Sequence, residues 1–342
     1  MKAWLLNSVY DLEKDFSPLL LSDIAKPVAD SYEILVRVSC CGICHTELDE
    51  IEGRTAPPAY PVVLGHQIVG IVSGTGKTAT RFNNGDRVGI AWINSSCGKC
   101  EYCLSGCENL CRSFQATGRD RNGGYAEYVT IHEDFAYKIP SVFSDIEAAP
   151  LLCAGAIGYR SLNLTGIKDG DLLGLTGFGA SGHLVLKLAK HLYPATGISV
   201  FARSRSEQKF ALELGADWAG NVEERPPREL NAIIDTTPAW TPVASSLLQL
   251  KPGGRLVINA IRKEAKDQAA LSAIRYQDHL WMEKEIKTVA NITRVDVEEF
   301  LSIAAEIPLK PQVEVYSFDE ANKALIDLKQ KHIRGAKVLV MS

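Results

Sequence analysis

Between residue 33 and about residue 140 apolar and polar positions alternate in short runs, "EILVRVSC", "HQIVGIVSG", "GDRVGIAW", "YAEYVTI" and "FAYKIP", with turn residues between them. A period of two, carried by β-branched residues, predicts half-buried strands, so this stretch is expected to be all β. From about 165 to 290 the pattern changes. Short continuous apolar runs, "DLLGLTG", "GISVFA", "LNAIIDTT" and "RLVINA", are separated by "SGHLVLKLAKHL", "SEQKFALELGA" and "ASSLLQLKPGG", in which apolar residues return every three or four positions. Strands buried on both faces, alternating with amphipathic helices, predict a parallel, doubly wound sheet. The tail holds "VEVYSF", a helix "DEANKALIDLKQ" and a last strand "AKVLVMS", enough to close back on the first region. The expected fold class is therefore α/β, with a β-rich domain over 1–150 and 291–342 and a doubly wound domain over 151–290.

With 342 residues, 46% of them apolar, both domains have enough material for a core. The net charge of -4 and a pI near 6.0 provide no basic footprint for nucleic acid, which leaves a small molecule as the expected partner. The apolar run in "MKAWLLNSVYDLEKDF" is broken by asparagine and then by charges, so it does not read as a signal peptide, and no apolar stretch approaches the ~18 residues of a membrane span. A cytoplasmic location follows as the expectation. In that reducing compartment nine cysteines, an odd number, point to metal binding or catalysis before disulfides.

Five thiols fall within "CGKCEYCLSGCENLC". Cys97, Cys100, Cys103 and Cys111 are spaced CxxCxxCx7C, and Cys107 is extra. Four thiolates fill a tetrahedral zinc shell and leave no position for water or substrate, which makes a structural site. An iron–sulfur cluster is the rival, although the proline-following cysteine and second cysteine set of the ferredoxin pattern are missing. A catalytic zinc needs three ligands and an open position, and the candidates stand apart in the chain: Cys44 in "CGICHTELD", His66 in "LGHQIVG" and Cys153 in "APLLCAGAIGY".

Gly177, Gly179 and Gly182 are in GxGxxG spacing, directly after a predicted strand and at the start of a predicted helix. There the glycines permit a tight turn and bring backbone amides and the positive helix end to a pyrophosphate. At the end of the second strand, "SVFARSRSEQKF", the usual acidic partner of a ribose 2'-hydroxyl is absent. Ala202 stands near that place, followed by Arg203, Ser204 and Arg205. Guanidinium groups suit a 2'-phosphate, so NADP is favoured over NAD; the alternative is a solvated turn with NAD held through serine.

Taken together, "GICHT", "GHQ", "GDRV", the four-cysteine loop, "GGYAEY" and "LLCAG" resemble the zinc-dependent alcohol dehydrogenases of the medium-chain dehydrogenase/reductase superfamily over essentially the whole chain. The cofactor loop and "WMEKEIKTVANITR" look closest to the branch with cinnamyl-alcohol-type dehydrogenases. The resemblance implies a GroES-like catalytic domain with both zinc sites, a Rossmann domain, two zinc ions per chain, and reversible hydride transfer between NAD(P) and a primary or secondary alcohol or its carbonyl counterpart. It makes Cys44, His66 and Cys153 the catalytic-zinc ligands and Thr46 the hydroxyl that bonds the substrate oxygen and passes its proton outward. Glu47 would support the metal shell from behind, and Trp92 and Ile93 would line an apolar substrate pocket, with core packing as their alternative. It implies a homo-oligomer, dimer or tetramer. Two positions depart from the pattern: Gln67 replaces the glutamate after the ligand histidine, and Asp49 occupies the place of a relay histidine. Proton delivery is then expected to run from Thr46 through the cofactor ribose to water or to Asp49, without a histidine limb in the pH profile. A polyol dehydrogenase on the same scaffold, a zinc-free reductase and a catalytically silent homologue are the competing readings.

Overall fold

A computed structural model describes residues 1–330 and 335–341, in two compact units. The first comprises Met1–Ala156 and Ile292–Ser342, the second Ile157–Asn291. Ser342, the end of the expected terminal strand, lies outside the described residues, and that strand runs over Ala336–Val340.

The first unit is organised by the strand Glu33–Ile43. One edge pairs antiparallel with Gln67–Thr75, and the other with Tyr128–His132 at its start and with Ala336–Val340 at its end. The sheet continues through Arg87–Ile90 to Ala136–Lys138 on one side and through Val313–Ser317 on the other. Inward residues such as Ile34, Val36, Val38, Ile68 and Val88 are sealed from solvent, as the alternating pattern requires. The tail thus returns to the first region, as the sequence pattern predicts. Within it Lys337, a fully buried cation opposite Ile43 in the register, ties the two tail strands together. Its ammonium bonds Glu314 Oε2 at 2.7 Å and the Tyr316 hydroxyl, which itself lies 3.0 Å from Asp327 Oδ2. A buried charge persists only when paired in this way.

The helix Asp145–Pro150 runs directly into a widened π turn, Leu151–Gly155, and then into the helix Ala156–Thr165. Pro150 lacks the amide that an α-helix would use at this point, and proline and π turns are common partners in helix irregularity. Gly155 abuts Phe300 of the helix Arg294–Glu306, and this packing holds the turn, with Cys153 in it, in the first unit. The unit therefore extends past the proline at 150 to Ala156.

In the second unit all strands are parallel, ordered Trp218–Gly220, Gly197–Phe201, Leu172–Thr176, Leu230–Asp235, Leu250–Ile258, Glu285–Thr288. The order reverses direction between Leu172–Thr176 and Leu230–Asp235, which makes a switch point at the carboxyl ends of those two strands. This is the doubly wound sheet expected from the alternation. Among the described residues no helix is long and apolar enough to cross a membrane.

A Cβ added at Gly155 would lie 2.3 Å from Cε1 of the fully buried Phe300 ring. Overpacking costs about 1–3 kcal/mol, more than the ~0.5–1 kcal/mol that alanine returns over glycine in a helical turn. Gly155→Ala is therefore expected to lower the unfolding midpoint of the purified protein; an unchanged or higher midpoint in a thermal scan would show that the ring yields freely.

Candidate metal and cofactor sites

The strand Glu33–Ile43 stops one residue before Cys44, and Gln67–Thr75 starts one residue after His66. Because Gly42 pairs with Gln67, these two strand ends put Cys44 and His66 side by side. Cys44 is the N-cap of the short helix His45–Ile51: its Sγ accepts from the Thr46 amide at 3.4 Å, and its own amide donates to Glu47 Oε2 at 2.8 Å. The other Glu47 oxygen lies 2.6 Å from His66 Nδ1, with both side chains fully buried. A carboxylate at Nδ1 holds that proton there and turns the lone pair of Nε2 the other way, toward the thiols. His66 Nε2 is 3.5 Å from Cys44 Sγ and 3.3 Å from Cys153 Sγ. The three donors lie within 4.8 Å of one another.

This crowding has an electrostatic signature. Contact with Cys153, then burial, then the charge of Glu47 push the Cys44 thiol well above its ordinary range. Burial opposes a charge on His66, but Glu47 and the Cys44 sulfur outweigh it and raise the imidazole well above its usual value. Two sulfurs and a nitrogen that compete for protons at one point are a donor set that a divalent cation relieves, with one coordination position left open.

The neighbours anticipated from the sequence divide. Thr46 is half-buried beside Cys44, and Gln67 is buried with its side chain laid across Gly42. Asp49 is nearly buried, and its Oδ1 takes a 2.6 Å bond from Arg54 Nε. Arg54 also reaches Glu52 Oε2 at 2.5 Å, and Lys329 of the C-terminal segment holds the other Glu52 oxygen at 2.6 Å. Trp92 is half-buried and stacked on Phe114, ring centroids 4.8 Å apart. Ile93 is sealed within the hydrophobic core of the unit, which is the packing alternative for that residue. Cys40 and Cys41 are buried in the strand, and burial pushes the Cys40 thiol up to about 12. Sequence reasoning missed Glu50. It is fully buried, and among the described residues neither carboxyl oxygen has a hydrogen-bond partner. Burial, then Glu47, drive its carboxyl well above the usual range, which favours the neutral acid.

Cys97, Cys100, Cys103 and Cys111 converge in the same way, their sulfurs all within 4.8 Å. Backbone amides of Lys99 and then Cys100 hold the Cys97 thiol down to about 6, while the neighbouring sulfurs help push the Cys100 thiol up to about 11. Cys107 is outside the cluster and precedes the turn Glu108–Leu110. Buried Glu108 receives the Arg294 amide at 2.8 Å and its Nε at 3.1 Å, which anchors the loop to the C-terminal segment. Four such donors would fill a tetrahedral shell, as in a structural site.

In the second unit Gly177 follows the strand Leu172–Thr176 with φ +82°, a conformation open to glycine, and Gly179 caps the helix Ala180–Leu192. A Cβ at Gly182 would come within 2.6 Å of the Gly177 carbonyl, so the third glycine permits the helix to approach the turn. Past the neighbouring strand, Ala202 is buried while Arg203, Ser204 and Arg205 are exposed. Ser204 is committed locally: its hydroxyl accepts the Glu207 amide at 3.2 Å and caps the helix Arg205–Glu213.

A β-rich unit with a closed four-thiol cluster and an open two-thiol, one-imidazole cluster, in the same chain as a glycine-turn α/β unit, defines a metal-assisted dinucleotide oxidoreductase. Residues 30–141 match the alcohol dehydrogenase GroES-like domain. The chain is 39% identical to the probable alcohol dehydrogenase AdhA of Mycobacterium tuberculosis, with 100% of this chain and 97% of the relative aligned. It is 33% identical to an alcohol dehydrogenase of Geobacillus stearothermophilus, over 96% of this chain and 98% of that protein. A cinnamyl alcohol dehydrogenase of Sorghum bicolor has a similar structure, with a TM-score of 0.83 at 26% identity over 99% and 97% of the two chains. The chain belongs to the zinc-dependent alcohol dehydrogenases of the medium-chain dehydrogenase/reductase superfamily.

Outer carboxylates that orient a ligand histidine are worth about 10–100-fold in metal affinity. Glu47→Gln should weaken zinc retention at the Cys44, His66 and Cys153 cluster by that factor and leave the four-cysteine loop loaded. Chelator competition followed by metal analysis checks this; equal loss from both clusters would place the effect in global stability instead.

Proposed function

We propose that the protein interconverts an alcohol and its aldehyde or ketone with NADP(H) as the preferred cofactor, holding a catalytic zinc on Cys44, His66 and Cys153 and a structural zinc on Cys97, Cys100, Cys103 and Cys111. The observation that carries this reading is the convergence of two sulfurs and an imidazole nitrogen within 4.8 Å, with a carboxylate behind the imidazole. Bound there, zinc supplies a Lewis acid for the substrate oxygen, and the nicotinamide supplies or accepts the hydride.

The chain's own groups do the rest. Glu47 fixes the ring of His66 and the amide of Cys44 at once, so the ligands are oriented before a cation arrives. Thr46, two residues after Cys44 and half-buried, is read as the hydroxyl that bonds the substrate oxygen and holds its proton at Oγ1. Asp49 is anchored by Arg54, and an anchored carboxylate sets the local potential more readily than it ferries protons. The proton is read as leaving Thr46 toward the cofactor ribose and water. Gln67, an amide across Gly42, cannot act as an anionic replacement ligand. Exposed Arg203 and Arg205 support NADP, since a guanidinium matches a 2'-phosphate, whereas Ser204 is already used as a helix cap.

A homo-oligomer is part of the same reading. The terminal strand of the parallel sheet, Glu285–Thr288, is exposed at every residue, and Tyr276, Trp281, Met282 and Ile286 are large exposed apolar side chains in the same part of the unit. An exposed strand edge flanked by large apolar side chains offers a surface for a second copy. Ile286→Lys should shift the mass measured by light scattering toward the single chain; a wild-type protein that is already a single chain would remove this part of the proposal.

The direct test is initial rates of reduction of cinnamaldehyde, benzaldehyde and hexanal with NADPH and NADH, before and after zinc removal and return. Turnover that prefers NADPH, falls on chelation and returns with zinc is expected; a protein with both sites loaded and no turnover on any alcohol or aldehyde would overturn it. A hydrogen bond to a charged group is worth about 1.5–3 kcal/mol, so Arg203→Ala should raise the KM for NADPH by about tenfold or more and leave that for NADH within about twofold. Equal changes for both cofactors would sink the 2'-phosphate assignment.

A further inference from the structure

At the switch point of the parallel sheet the chain places a buried carboxylate. Asp235 is the last residue of Leu230–Asp235, fully buried, and pairs in register with Thr176, the residue before Gly177 of the glycine turn. The next residue, Thr236, bonds that turn directly: its amide and hydroxyl donate to the Thr176 carbonyl at 2.9 and 3.0 Å. Carboxyl ends of parallel strands at a switch point are where a dinucleotide sits, and its pyrophosphate is anionic. An uncompensated carboxylate there would oppose binding.

Compensation comes from the loop after the strand Leu250–Ile258. Lys263, only 8% exposed, donates to Asp235 Oδ2, to the Thr237 carbonyl at 2.8 Å and to the Ala239 carbonyl at 3.0 Å. Its three protons are therefore all committed within the protein. Thr237 completes the shell of Asp235, with its hydroxyl 2.8 Å and its amide 3.1 Å from Oδ1. The same loop grips the segment further along: the Glu264 amide bonds the Pro238 carbonyl at 2.7 Å, and Asp267 accepts from the Trp240 and Thr241 amides at 2.9 and 2.8 Å. Burial pushes the Asp235 carboxyl up from its usual range and Lys263 acts against that rise, so the two charges stand or fall together.

We propose that Lys263 is a positioning residue of the cofactor crevice, neutralising Asp235 at the switch point and pinning residues 236–239 beside the glycine turn without itself touching the cofactor. The inference rests on the reading that the dinucleotide binds at this edge. It separates Lys263 from Arg203: loss of Lys263 should weaken NADH and NADPH alike, because Asp235 and residues 236–239 adjoin the glycine turn, which serves the part the two cofactors share.

The test is titration of the zinc-loaded full chain with NADH and with NADPH, followed by nucleotide fluorescence, for wild type, Lys263→Met, Asp235→Asn and the double variant. Lys263→Met should raise both dissociation constants by about tenfold or more at alkaline pH, where the unpaired carboxyl is ionised, and by less at acid pH, where burial keeps it neutral, and the double variant should recover to within about threefold. Binding by Lys263→Met within about twofold of wild type at alkaline pH overturns the proposal, and so does a double variant as weak as the single one, since the lysine would then serve only to hold the loop. If Lys263→Met does not fold, Asp235→Asn decides: with the cation left uncompensated both cofactors should bind more tightly and with a steeper salt dependence, and unchanged binding overturns the proposal. Wild-type protein that binds neither cofactor would overturn the dinucleotide reading, and this one with it.

Discussion

The donor cluster of Cys44, His66 and Cys153 depends on one antiparallel register, the pairing of Gly42 with Gln67 between the strands Glu33–Ile43 and Gln67–Thr75. It sets Cys44 and His66 at adjacent strand ends, and a slip of one residue would turn every side chain of one strand to the opposite face and separate the two donors. Glycine makes the approach feasible. A Cβ at Gly42 would lie 2.6 Å from Gln67 Oε1, and Gly65, with φ +97°, lies against the ring of buried Tyr125. Glu47 then reads both strand ends together, one oxygen toward the Cys44 amide and the other toward His66.

The third donor arrives by different physics. Cys153 is carried on a π turn that follows Pro150, and Phe300 against Gly155 presses that turn into the first unit. Phe300 belongs to the C-terminal segment, as do Ala336–Val340 beside the strand that ends before Cys44, Lys329 on Glu52, and Arg294 on Glu108 within the four-cysteine loop. Among the described residues the tail supplies no donor to either cluster. It braces both clusters, so a change in it can act on metal binding without contact with a metal.

The alternation of strands in residues 33–140, the parallel sheet and its glycine turn were legible because period, turn chemistry and motif spacing are local properties of the text. The two donor clusters were legible from spacing in one case and from resemblance in the other, and the structure brings each set together. What was not legible is the partner of each charge. Glu108 meets a residue 186 positions away, and Asp235 meets one 28 positions away across a strand and a helix, distances at which no periodicity operates. Arg54, five residues after Asp49, was near enough to be found, but a short helix end offers no fixed spacing from which to infer it. Cys153 shows the limit for domain boundaries: the change of pattern puts the boundary near 150, and only packing against Phe300 shows that the turn through Gly155 stays with the first unit.

Three buried carboxylates show how the two units treat charge. Burying an ionised carboxylate without a partner is costly, and each site meets that cost according to what must bind nearby. Beside the donor cluster Glu47 faces an imidazole, and the negative charge it contributes favours the arrival of a cation. Glu50, on the same short helix, has no hydrogen-bond partner for either oxygen among the described residues and is favoured as the neutral acid, so the helix does not hold two competing anions at one place. At the switch point, where the approaching ligand is an anion, the opposite is needed, and Asp235 is matched by a lysine whose protons are all spent inside the protein. Each of the three is thus either matched within the protein, as Glu47 is by His66 and Asp235 by Lys263, or favoured as the neutral acid, as Glu50 is.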